Sequence, residues 1–181
     1  STKIIKSVMS LESPAQRYAA AKKRGRGPNF AAFESTFDFV LDDFQREACL
    51  ALEKGDSLLV AAPTGAGKTI VGEFAAHLAI TNGTKCFYTT PIKALSNQKY
   101  AEFCEIYGHQ NIGLLTGDSS INGDADVVVM TTEVLRNMIY VRSPALDKLQ
   151  YVVLDEVHYL SDKFRGPTWE EILIHLSDEV I

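Results

Sequence analysis

Lys68 and Thr69 follow directly on Gly65-Ala66-Gly67, with Ala62-Pro63-Thr64 ahead of them. A loop of such small residues lets backbone N–H groups converge on phosphate oxygens, because no Cβ blocks the approach. Lys68 would then neutralise the outer phosphates of a triphosphate, and Thr69 would offer its hydroxyl to Mg²⁺ at the start of a helix. Ala62 stands where the pattern usually has glycine, a tolerable exchange if φ stays negative there. The plain alternative is a glycine-containing turn between any strand and helix. The setting argues against it: the apolar run 57–61 enters the loop and the helix-favouring run 72–80 leaves it.

Asp155-Glu156-Val157-His158 directly follows another apolar run, Tyr151-Val152-Val153-Leu154. A carboxylate at the end of a buried strand is costly unless a cation meets it. Beside a triphosphate loop that cation is Mg²⁺, held by Asp155 directly or through water. Glu156, next along the turn, is placed to orient and deprotonate an attacking water. Alone, the four residues read equally well as an acidic turn; paired with residues 62–69 they do not. The tetrapeptide resembles the DExH box of superfamily 2 helicases.

Other stretches are similar to that family one at a time. Phe39 and Gln45 look like its adenine pair, an aromatic ring to stack on the base and an amide to bond its edge. Without the resemblance, Phe39 reads as a core residue. Thr89-Thr90-Pro91-Ile92-Lys93-Ala94-Leu95-Ser96-Asn97-Gln98-Lys99 is similar to the family's first nucleic-acid motif. Thr116-Gly117-Asp118 and Thr131-Thr132-Glu133 look like the next two. The resemblance therefore implies nucleic-acid contacts at Thr90, Pro91, Lys93, Thr116, Gly117, Thr131 and Thr132, through hydroxyls, backbone amides and one lysine. Each turn alone reads as a helix N-cap. Arg165-Gly166-Pro167-Thr168-Trp169-Glu170-Glu171 narrows the likeness to the superkiller/Mtr-type branch, nearest to the HelY-type helicases of actinobacteria. The likeness covers about residues 37–176.

The family implies ATP and Mg²⁺ as cofactors, with Lys68, Thr69 and Asp155 on the metal–triphosphate, Glu156 activating water and His158 relaying the nucleotide state. It also implies 3′-to-5′ movement on single strands, RNA more readily than DNA. The family's Ser-Ala-Thr motif and its Gln-x-x-Gly-Arg-x-Gly-Arg stretch do not occur in these 181 residues. The chain thus looks like the first RecA-like lobe of a longer enzyme, nearly inactive by itself, with the second lobe as its partner. A different class of function is a non-motor ATP-binding module whose nucleotide state sets an interaction surface. A small-molecule kinase is a third, disfavoured because the three threonine-bearing turns occupy the space an acceptor would need.

The elements that must position these residues alternate from residue 37 onward. Helices are expected at 42–53, 72–80, 93–107, 132–140 and 168–178, and strands at 57–61, 85–90, 112–115, 126–130 and 150–155. Continuous β-branched runs mean strands covered on both faces. The expected fold is a three-layer α/β lobe: a mostly parallel central sheet with helices on both sides. Ligands of such sheets bind at the carboxyl ends of the strands, where every motif above falls. Residues 1–36 are set apart as a basic, partly helical extension from the lobe at 37–181. They carry seven Lys/Arg against two Asp/Glu, whereas the rest carries eleven against twenty-one. Within them a short helix is expected over 13–24, and Phe30, Phe33 and Phe37 at helical spacing are expected to dock on the core. The net charge of −5 excludes a nucleic-acid grip by bulk charge and leaves a local one. No apolar run is long enough for a membrane span or a secretory leader. Cys49, Cys86 and Cys104 lack metal or disulfide spacing and read as buried, reduced side chains, pointing to a cytoplasmic protein.

Overall fold

A computed structural model describes residues 3–6, 28–54, 58–59, 67–147 and 149–155. The alternating runs fold as their composition dictates. Three strands form the centre: β3 (Lys85–Thr90), β6 (Val127–Thr131) and β7 (Leu149–Leu154). Strand β3 pairs in parallel with both neighbours, so that Tyr88 lies opposite Val129 on one side and Val153 on the other. Beyond β6 come β4 (Ile112–Leu115), parallel, and the two-residue β5 (Ser120–Ile121), antiparallel. Beyond β7 come β1 (Lys3–Lys6) and β2 (Leu58–Leu59), both parallel, giving the order β2-β1-β7-β3-β6-β4-β5.

Alternation along each strand divides the core into two layers. Cys86, Tyr88, Val127, Val129, Tyr151 and Val153 belong to one, together with buried residues of α1 (Pro28–Glu34), α2 (Asp43–Lys54), α3 (Lys68–Asn82) and α4 (Lys93–Tyr107). Phe87, Val128, Met130, Val152 and Leu154 belong to the other, with Leu135 of α5 (Thr132–Tyr140). Apolar residues on both faces are why the strands read as unbroken β-branched runs. The expected α/β architecture is the one observed.

Two strands went unanticipated. Lys3–Lys6 has two apolar residues between lysines, too little local signal, and becomes a strand by pairing with residues more than fifty positions away. Ser120–Ile121 is exposed and pairs only with β4. The phenylalanine reading holds: Phe30 and Phe33 are buried, packed on Phe74 with ring centroids 5.9 and 5.0 Å apart, and Phe37 rests against the same cluster. Glu53 fastens α1 to α2 by accepting from Asn29 N–H at 2.8 Å. Cys49, Cys86 and Cys104 are buried, unpaired thiols, and burial pushes those of Cys49 and Cys86 upward. The helices expected at 13–24 and 168–178 lie outside the described residues. Among the described residues no helix is long and apolar enough to cross a membrane.

Candidate nucleotide and nucleic-acid site

Because the central strands run parallel, the segments that leave β3, β4, β6 and β7 emerge on one rim. Asp155 is the first residue past β7. Its N–H donates to the Thr89 carbonyl at 3.0 Å, and its Oδ2 accepts from the Tyr88 hydroxyl at 2.6 Å. Thr69, in the first turn of α3, shares a cleft of 360 Å³ with Asp155, Thr90, Glu73 and Lys99. The structure thus brings the expected metal pair, Thr69 and Asp155, to one cavity. Lys68 opens α3. Ala62, Pro63, Thr64, Gly65, Ala66, Glu156 and His158 lie outside the described residues, as does the 165–171 stretch.

Gly67 leads into α3 in the left-handed region, with φ 72° and ψ 25°, where glycine alone is unstrained. Its carbonyl accepts from Gln45 Nε2 at 3.2 Å. Gln45 also closes a capping box: its Oε1 accepts from Asp42 N–H at 2.9 Å while Asp42 Oδ1 accepts from Gln45 N–H at 3.0 Å. The expected adenine-reading amide is therefore buried and braced between the start of α2 and Gly67, the last glycine of the expected phosphate loop. Phe39 is not in the core; it is 56% exposed, its ring tilted at 54° to that of Phe37 with centroids 5.2 Å apart.

Three carboxylates, Glu73, Glu102 and Asp155, line the cleft with Lys99, whose side chain is 11% exposed and sits 3.4 Å from Glu73 and 2.5 Å from Glu102. Burial pushes the Glu73 carboxyl above its ordinary value, and Lys99 offsets part of that. For Glu102 burial works the same way but is outweighed, and hydrogen bonds from Lys99 and Gln98 leave it below its usual value. The Tyr88 phenol is driven well up by burial and by Asp155, so it stays protonated and can only donate to that carboxylate. Sequence reasoning missed Tyr88, Glu73 and Lys99 as site residues. For Tyr88 the available signal was a polar-tipped aromatic in a strand expected to be covered on both faces.

The three expected nucleic-acid turns converge. Thr132 Oγ1 donates to the Thr90 carbonyl at 3.2 Å, and Lys93 Nζ is paired with Asp118 Oδ2. That pairing, with a second hydrogen bond from Thr116, holds the Asp118 carboxyl below its usual range. Thr90 is buried, with its hydroxyl between the Ile92 carbonyl and Ser96 Oγ, so it shapes the turn. Pro91, Thr116 and Thr132 are buried as well, Thr131 is half-buried, and Lys93 and Gly117 are exposed. The N-cap alternative is not what is seen for two of these turns: neither Ile92 before α4 nor Thr131 before α5 caps its helix with a side chain. Their first-turn N–H groups therefore lack a cap from those residues.

The sheet, the glycine-led helix α3 and the carboxylate at the end of β7 define an α/β lobe of the RecA-like type. Residues 42–181 match the family model of DEAD/DEAH box helicases, and the chain belongs to that family. It is 64% identical over 148 residues to the probable helicase HelY of Mycobacterium tuberculosis, covering 82% of this chain and 16% of that protein. It is 53% identical over 152 residues to DExH15 of Arabidopsis thaliana, named a chloroplastic DExH-box ATP-dependent RNA helicase, covering 81% of this chain and 13% of that one. Among solved structures it is similar to the Mycobacterium smegmatis helicase Lhr bound to single-stranded DNA and AMP-PNP. There the TM-score is 0.60 at 26% identity, covering 87% of this chain and 23% of Lhr. The chain spans less than a fifth of the length of these curated relatives.

Proposed function

We propose that this chain is the ATP-binding lobe of an ATP-dependent DExH-box helicase that travels 3′-to-5′ along single-stranded nucleic acid, RNA in preference to DNA. The observation that carries the reading is the cleft shared by Thr69, at the start of α3, and Asp155, at the end of β7. A hydroxyl and a carboxylate are hard oxygen donors, the set that suits Mg²⁺ accompanying a triphosphate. When bound, Mg²⁺ supplies charge neutralisation to the outer phosphates. Lys68 and the loop 62–67, through its backbone N–H groups other than at Pro63, hold the phosphates, Phe39 stacks on adenine, and Gln45 reads its edge while bracing Gly67. Glu156 takes the proton of the attacking water, and His158 passes the nucleotide state to the nucleic-acid side. The lobe proper is residues 37–181, with 1–36 as an extension that lends β1 to its sheet and Phe30 and Phe33 to its core; a second lobe closes the site.

The nucleic-acid face is the rim formed by the turns after β3, β4 and β6, with Lys93, Gly117 and the first-turn amides of α4 and α5 toward the phosphodiester. Thr90, Pro91, Thr116, Thr131 and Thr132 shape those turns or add main-chain contacts. The preference for RNA draws on the Arabidopsis relative, which is named an RNA helicase. Reduced, buried cysteines suit the cytoplasm. Lys68→Ala in the full-length gene product is the test: nucleic-acid-stimulated ATP hydrolysis should vanish, and retained turnover would refute the assignment.

A further inference from the structure

A tyrosine inside a covered strand has one polar atom that must find a partner. Tyr88 is fully buried, and its partner is the Asp155 carboxylate, 2.6 Å from its hydroxyl. The register accounts for the meeting. Tyr88 lies opposite Val153 on β7, and residues two apart on a strand share a face, so the phenol reaches past Val153 to Asp155.

The ring is held on its other sides. Phe103 of α4 meets it edge-on, centroids 5.2 Å apart at 86°, and Lys99 Nζ stands 5.7 Å from its centroid. Helix α3 closes over it at Gly72, where a Cβ would lie 3.0 Å from Tyr88 Cε2 and 2.9 Å from Val153 Cγ1. Glycine is a poor choice for a helix interior, and this close approach is the reason for it. The Asp155 main chain is fixed as well, by its bond to Thr89.

We propose that Tyr88 is a positioning residue for nucleotide hydrolysis: its hydroxyl holds the Asp155 carboxylate in the orientation that receives the Mg²⁺ accompanying ATP, and Gly72 is the gap that admits its ring. The inference rests on the reading of Asp155 given under Proposed function. The phenol touches Asp155 and acts only through it.

The test is equilibrium binding of a fluorescent ATP analogue to the full-length gene product, titrated with MgCl₂ and, separately, in EDTA. In Tyr88→Phe the affinity in EDTA stays within about twofold of wild type, because the metal-free phosphate contacts do not involve Asp155. The Mg²⁺ concentration for half-maximal effect rises about tenfold, the lower range for losing a hydrogen bond to a charged group. Gly72→Ala keeps the hydroxyl but displaces the ring, and moves the Mg²⁺ midpoint in the same direction. Melting temperatures taken in EDTA confirm that each variant is folded at the temperature of the titration. A role confined to structure would lower the melting temperature and leave the Mg²⁺ midpoint where it was, which would overturn the proposal. Lys68→Ala separates the two levels. If it binds the analogue like wild type, the nucleotide reading falls and this inference with it. If it loses binding while Tyr88→Phe keeps the wild-type midpoint, the nucleotide reading stands and the role of Tyr88 is refuted.

Discussion

Gly67→Ala isolates the joint between α2 and the start of α3, at the end of the proposed phosphate loop. Two effects add. The backbone at φ 72° is a left-handed conformation that disfavours any L-residue by about 1–2 kcal/mol. The new Cβ would also lie 2.0 Å from Gln45 Nε2, so the amide has to leave. Its departure breaks the bond to the Gly67 carbonyl and the one that Oε1 accepts from Asp42 N–H, each worth about 1 kcal/mol net. The expected loss is about 3–4 kcal/mol, roughly half of it specific to Gln45. Hydrogen exchange can read it locally: the Asp42 amide should lose protection, together with the first turns of α2 and α3. In a Gln45→Ala background the clash is gone and the bonds are already lost, so the same glycine substitution should cost only about 1–2 kcal/mol. Equal costs in the two backgrounds would refute the argument that Gln45 and Gly67 form one unit.

Two other outcomes follow from charges at the site. Lys93 is an exposed cation in the turn after β3, which we propose meets nucleic acid. Lys93→Ala should flatten the dependence of log affinity on log salt by about 0.7 for a single strand, the share of one phosphate contact; an unchanged slope would remove Lys93 from the interface. Lys99→Met keeps much of the packing against Tyr88 and Phe103 but leaves Glu73 without its cation. Folded Glu73 holds its proton above the 4.5 at which an unperturbed glutamate releases it, so the native state binds more protons than the unfolded one there, and stability falls as pH rises. Without Lys99 that fall steepens. The stabilisation that Glu102 gains from its depressed value, present above 4.5, goes as well. The deficit of Lys99→Met measured by denaturation should therefore grow from pH 5 to pH 7, and a deficit independent of pH would contradict this account.

The layers of the fold were legible because an unbroken β-branched run such as Val127-Val128-Val129, followed directly by a helical pattern, reads as a strand covered on both faces. The strand Lys3–Lys6 was not, because its stability lies in β2 and β7 rather than in its own composition. At the site, sequence named residues and the structure changed what several of them do. Thr90 and Thr132 look like hydroxyls offered to a phosphodiester, yet one bonds Ser96 and Ile92 and the other the Thr90 carbonyl. A motif fixes the residue type; it does not say whether the hydroxyl faces the ligand or builds the turn that presents the amides. Gln45 shows the same limit over 22 positions, since nothing local says that its amide meets Gly67.

Tyr88 and Gly72 point to a signal that patterning alone discards. In Cys86-Phe87-Tyr88-Thr89-Thr90 a tyrosine counts as one more apolar residue, and in the run after Thr69 a glycine counts as a mild helix defect. Each makes a demand on its environment: a buried tyrosine hydroxyl must find a partner, and a helix interior disfavours glycine. Read together they are consistent, because the glycine makes room for a ring whose hydroxyl needs a partner at the strand ends. The available partner is the carboxylate that follows β7, and β3 lies directly beside β7. A pair of local misfits on elements flanking a strand-end acid therefore identifies the group that orients the acid.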